Sequence, residues 1–228
     1  GMYPSIIKSY AEGSKGQMFS LVINGSKITF FLMWVFALPM LLEMHTILGF
    51  WLGNAPPDTV IFTRLALIEA LIFSISNPLA TAARAPGKMM TYELTLGTMQ
   101  VSVFVISWII LKHGSDAYMV YVVAISINVL MFFVRLLIVK RLVGLNLESF
   151  ITQAILPICA IGIISTIPSF LLHHYLPKGL VYSCINISCS MAISSICMYY
   201  IGLNKAWRGK VNAIVMTRFR KLIRFLPL

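Results

Sequence analysis

Charge is scarce in this 228-residue chain, and acidic charge most of all: Asp and Glu together number 7 against 18 Lys and Arg, and charged residues make up 11% of the whole. Soluble domains average about 25% charged residues, so a water-soluble globule is excluded. Signatures of catalysis are missing too, with no H-E-x-x-H, no G-x-S-x-G and no glycine-rich phosphate loop. The four cysteines, Cys159, Cys184, Cys189 and Cys197, form no C-x-x-C pair and read as small buried residues. His45 and His113 stand at loop edges, and the pair His173-His174 next to Pro177 has no spaced carboxylate. Adjacent histidines alone make a poor metal site, so neither a metal nor a cofactor is expected. The opening Gly1-Met2 has no charged n-region or cleavage site, which argues against a signal peptide. The first residues read as the end of an element already under way, and a piece of a longer protein is expected.

What the chain has in quantity is apolar sequence, 59% of it, in runs long enough to cross a bilayer. Six spans are expected, near residues 28–48, 60–83, 92–111, 118–139, 150–172 and 180–203, giving an all-α integral membrane fold. Residues 1–27 read as a basic loop leading into an interfacial helix start, with Pro39 kinking the first span. Residues 204–228 read as a basic amphipathic tail, Lys205 to Arg224 lying on anionic lipid with Trp207, Val211, Ile214 and Leu222 at helical spacing. The formal charge of +11 does not point to nucleic acid, because the Lys and Arg sit between apolar runs and not on a polar surface. All of them except Arg64, Lys112, Arg135 and Lys178 fall in the N-terminal segment, the Arg84 and Lys140 turns and the tail. By the positive-inside rule both ends of a six-span chain are then cytoplasmic.

The second span is the unusual one. Ionisable residues inside a membrane are costly and face a bundle interior or a watery cavity, and this span carries Arg64 and Glu69, then Asn77-Pro78 and the turn Arg84 to Lys88. Arg64 and Glu69 point about 140° apart on a helical wheel, so each needs a partner from another helix, or water. Gln100 and Asn128 add polar groups to the third and fourth spans, and Arg135 stands where it can snorkel to the interface. Asn77 before Pro78 suits a kink, where its amide satisfies freed backbone groups. One internal echo is visible: Pro4, Ala11 and Gly13 recur at the same offsets as Pro78, Ala85 and Gly87.

At MYPSIIKSYAEG and SNPLATAARAPGK, with FALPMLL and WLGNAPP between them, the chain resembles the bacterial polysaccharide flippases of the O-antigen type, within the multidrug and oligosaccharidyl-lipid exporter group. The resemblance covers essentially the whole chain. It implies a MATE-like transporter of two lobes in the inner membrane, of which this chain is one lobe plus an extra helix pair, the N-terminal lobe being missing. The implied cargo is an undecaprenyl-diphosphate-linked oligosaccharide for lipopolysaccharide and other surface polysaccharide. Cations along a wet cavity would attract its diphosphate: Arg64 on the outer side, with Arg84 and Lys88 near the cytoplasmic mouth, where they are equally topology determinants. Glu69 is the candidate protonatable group, or a structural hydrogen-bonding one. The full expected pathway is Arg64, Glu69, Asn77, Arg84, Lys88, Gln100, Asn128 and Arg135. A transporter rather than an enzyme is expected. The alternatives are a membrane enzyme of polysaccharide assembly such as a polymerase or acyl transferase, an exporter of the same fold with another cargo, and a scaffolding subunit.

Overall fold

A computed structural model describes residues 3–54, 56–177, 179–203 and 208–209. All regular structure among these is helical: α1 (Tyr3–Ala11), α2 (Lys15–Leu52), α3 (Thr59–Arg84), α4 (Met90–Lys112), α5 (Met119–Val143), α6 (Leu147–Tyr175) and α7 (Leu180–Gly202). The six from α2 onward are each long and apolar enough to cross a membrane. This is an all-α, multi-pass membrane protein. Helix ends rich in Lys and Arg gather at one end of the bundle, called here the basic end, where α2, α4 and α6 begin and α3 and α5 finish. The tail from Lys205 to Arg224 lies outside the described residues apart from Arg208 and Gly209.

One correction concerns the start. The sequence pattern of residues 3–27 suggests a basic loop ahead of a helix start; residues 3–11 form α1 and not a loop, and the helix start is the first turns of α2. Gly13, with φ of 72°, takes the left-handed conformation that closes α1, and the Ser14 amide bonds back to the Ser9 carbonyl. α1 folds back so that Ile6 meets Met18, Val22, Leu79 and Phe150 in a fully buried cluster. Packing against the bundle holds this segment in place. Gly87, the partner of Gly13 in the sequence echo, likewise has a left-handed φ of 73° just past the end of α3.

α2 is the hub, packing on α1, α3, α6 and α7, while α5 packs on α3 and α4 packs chiefly on α5. At 38 residues it is about 57 Å long at 1.5 Å per residue, far more than a bilayer core needs. It does not run straight. Glu43, four residues after Pro39, has φ −97° and ψ 15°, outside the helical region. In α6 a π-type turn at Ile151–Ile155 comes just ahead of Pro157, whose missing N–H leaves the ladder one donor short.

The seam between α2 and α3 depends on Pro78. Proline has no N–H to give the carbonyl four residues back, here Ser74, and that carbonyl instead faces the Thr29 hydroxyl at 2.8 Å, sharing its one proton with the Gly25 carbonyl of α2 at the same distance. The Ser26 hydroxyl bonds the next carbonyl, of Ile75, at 2.9 Å. Asn77, which its place before Pro78 suggests for this task, does not perform it; two hydroxyls from α2 do. On the other side of α2, Trp34 donates to Ser165 of α6 at 2.9 Å. Close approach completes the joint: a Cβ on Gly202 would come 2.5 Å from the Phe31 ring and 2.8 Å from Ile161. Cysteine burial departs from expectation, since Cys159 and Cys184 are exposed on the helix surfaces.

Two outcomes test this account. Thr29→Val should destabilise the purified protein by about 1 kcal/mol, and the loss should shrink in a Pro78→Ala background, where the restored backbone N–H can donate to the Ser74 carbonyl; the double-mutant cycle is read by reversible unfolding in detergent. Gly202→Val should cost about 1–3 kcal/mol or abolish folding by overpacking, whereas Gly162→Ala, with open space around it, should leave the thermal midpoint unchanged.

Candidate functional site

At the end of the bundle opposite the basic end, α2, α3, α6 and α7 enclose a cavity of about 510 Å³ bordered by Glu43, His45, Thr46, Arg64, His173 and Ser183 among others. That size is typical of a small-molecule site. Its most conspicuous member is Glu43, which is absent from the pathway expected from sequence. Its side chain is only 5% exposed. The break in α2 aims the carboxylate between α6 and α7, where one oxygen, Oε1, accepts from Asn186 Nδ2 at 2.7 Å and lies 2.6 Å from His173 Nδ1. Thr46 donates to the second oxygen at 3.3 Å, and the Ser183 hydroxyl bonds Thr46 in turn at 3.2 Å.

Along the chain His173 lacks a spaced carboxylate, yet in space Glu43 supplies one from 130 residues away. The test that singles out Glu69, an acidic residue within an apolar run, picks out Glu43 equally. What the sequence does not reveal is its partners.

Arg64 opens on the same cavity. Its Nε donates to the Leu41 carbonyl of α2 at 3.0 Å, two residues before the break at Glu43. Glu69 is met from α5, where Asn128 donates to it at 2.8 Å. Arg64 and Glu69 therefore do take partners from different helices, as the helical wheel predicts.

Five of the remaining pathway residues fall into two further places. Gln100, Asn128 and Arg135 border a small cavity of about 50 Å³ with Ser76 and Met131, midway along α3 and α5. Arg135 does not snorkel: it is buried, its guanidinium faces the buried Tyr92, and its Nε has no hydrogen-bond partner among the described residues. Snorkelling fails because Arg135 sits on the α5 face packed against α3 and α4, not on the lipid face. Asn77 and Arg84 border a groove of about 320 Å³ at the basic end with Tyr3, Ile6, Thr29 and Thr81. Arg84 is paired with Glu93 at 2.9 Å, which ties the end of α3 to the start of α4. Lys88 is exposed in the turn between them.

Comparison with protein-family models, with curated proteins and with solved structures finds no match to this chain. Resemblance to the oligosaccharide flippases therefore rests on the residues themselves. Among the described residues no group of three His, Cys, Asp or Glu could hold a metal ion.

The Glu43 cluster makes a structural prediction. Asn186→Ala removes one donor from a buried carboxylate, and the unfolding free energy should fall by about 1–3 kcal/mol. His174→Gln, which alters a ring stacked on Phe170 outside the cluster, should leave it unchanged; equal losses in both variants would contradict this assignment.

Proposed function

We propose that this chain is one lobe of a two-lobed, MATE-like exporter that moves an undecaprenyl-diphosphate-linked oligosaccharide across the bacterial inner membrane for surface polysaccharide assembly. The observation that carries the reading is the placement of polar groups on α3. Arg64 and Arg84 are twenty residues apart, about 30 Å along a helix, which matches the hydrocarbon thickness of a bilayer. Between them α3 borders three openings: the far cavity, the small mid-bundle cavity and the groove at the basic end. A carrier for a diphosphate needs cationic groups at both surfaces and polar groups between them, since an unpaired anion in hydrocarbon has nothing to replace its water.

In this reading the basic end faces the cytoplasm and the far cavity faces outward. Arg64 receives the anionic headgroup there, its Nη groups free of partners among the described residues while Nε anchors it to Leu41. Asn77 and Arg84 meet the cargo at the cytoplasmic mouth, Arg84 by exchanging Glu93 for a phosphate. The missing lobe would close the central cavity against α3, and the tail would rest on anionic lipid. The lipid chain stays in the bilayer throughout.

One observation favours a second reading, a membrane enzyme such as an acyl transferase. Glu43 and His173 form a carboxylate–histidine pair beside a cavity, an arrangement that general-base catalysis uses. Against it, the hydroxyls beside the pair are already engaged, Thr46 with Glu43 and Ser183 with Thr46, and no hydroxyl or thiol is bonded to the other ring nitrogen among the described residues.

Export decides between them. Arg64→Glu, made in the complete transporter, should abolish delivery of lipid-linked glycan to the outer leaflet while membrane insertion stays intact. Normal surface glycan in that variant would remove Arg64 from the pathway, and accumulation of unmodified product at the outer leaflet would favour the enzyme.

A further inference from the structure

We propose that Glu43 and His173 form a proton-binding site open to the far cavity, and that its occupancy clamps α6 and α7 onto α2. Such a site needs only the membrane bundle and is independent of the cargo.

The pair has one buried half and one accessible half. Glu43 is buried, whereas the His173 side chain is 38% exposed and borders the cavity. The contact between Nδ1 and Oε1 at 2.6 Å requires a proton between them. A neutral His173 supplies it as the Nδ1–H tautomer, donating to the carboxylate and leaving Nε2 with its lone pair. No described residue is hydrogen-bonded to Nε2, and His173 borders the cavity. A proton arriving from water forms one N–H bond there and breaks none in the protein. The pair passes from a net charge of −1 to an imidazolium–carboxylate pair of net charge zero, and loss of the same proton reverses the step.

Burial gives the step its consequence. An uncompensated carboxylate away from water is expensive, and a fully ionised, hydrogen-bonded pair is much less so. With the proton on, the charge-assisted bond from His173 holds α6 to α2, and Asn186 on the same oxygen holds α7. With it off, the carboxylate keeps two neutral donors and one weaker one and gains from hydration, so the far ends of α6 and α7 are released toward water.

The charged and titratable groups facing the pair come from all four helices around it. On α2 these are Glu43 itself and His45; on α3, Arg64; on α6, His173; and on α7, Tyr182. Arg64 supports the unprotonated pair, because its fixed charge offsets the carboxylate. His45 opposes proton binding only when it is itself charged. His174, the next residue along α6, stacks on Phe170, meets Tyr175 edge-on and is not part of the pair.

The test uses the full chain in lipid nanodiscs with the four native cysteines replaced by serine. Nitroxide labels go on cysteines at Trp51 and Tyr175, both exposed at the far ends of α2 and α6. Distances are measured by pulsed electron paramagnetic resonance at about pH 5 and about pH 8, on either side of ordinary histidine titration. One narrow distance is expected at the lower pH, and a longer component about five times more populated at the higher pH. His173→Gln, which keeps an amide donor for Glu43, should remove the response, and His45→Gln and His174→Gln should retain it. Identical distributions at both pH values in the parent protein would overturn the proposal even if the variants fail to fold. A response that survives His173→Gln and vanishes in His45→Gln would overturn it as well.

Discussion

A carbonyl released by proline inside a bilayer finds no water to replace its lost donor. In this protein the rest of the bundle is arranged around that constraint. Pro78 leaves the Ser74 carbonyl of α3 without its helical partner, and Thr29 of α2 supplies one, with Ser26 alongside on Ile75. The irregularity that weakens one helix thereby becomes the seam that joins it to its neighbour. Between lipid-bathed helices apolar contact alone gives little net attraction, because lipid tails are as apolar as the side chains they would replace. Hydrogen bonds across Pro78 and close packing at Gly202 do what a hydrophobic core does in water.

The second irregularity serves a site instead of a seam. After Pro39, α2 departs from helical geometry at Glu43, and the carboxylate turns into the space between α6 and α7. The same departure lies two residues past the carbonyl that anchors Arg64. Cation and carboxylate thus share one cavity without pairing. The Arg64 Nη groups have no partner among the described residues, while Glu43 is committed to donors from three helices.

α3 ties the two ends of the molecule together. It packs on α2 and α5, gives the bundle its polar groups from Arg64 to Arg84, and finishes in a pair with Glu93 that positions α4. Glu69 and Asn128 bind α3 to α5 near the middle. Arg135 lies one helical stretch further toward the basic end, buried against Tyr92. Of the polar groups that look scattered along the spans, Arg64, Asn77, Arg84, Gln100, Asn128 and Arg135 border three openings along α3.

Composition and apolar periodicity were enough to determine that this is an all-α membrane protein with six spans, because length and the lack of charge are local properties that lipid reads directly. The distribution of Lys and Arg separated the two ends of the bundle, and the helical wheel argued against a simple Arg64–Glu69 pair within one helix. Tertiary structure alone decided who satisfies whom. Glu43 and His173 are 130 residues apart, and no spacing rule connects them. Residues 15–27 look interfacial alone and are held in the bundle where Ile6, Leu79 and Phe150 surround Met18 and Val22. Arg135 has a snorkelling address in sequence and a buried one in space, since the face it occupies is covered by α3 and α4. In each case the deciding quantity is which helix stands opposite, and that is fixed by packing between spans rather than within them.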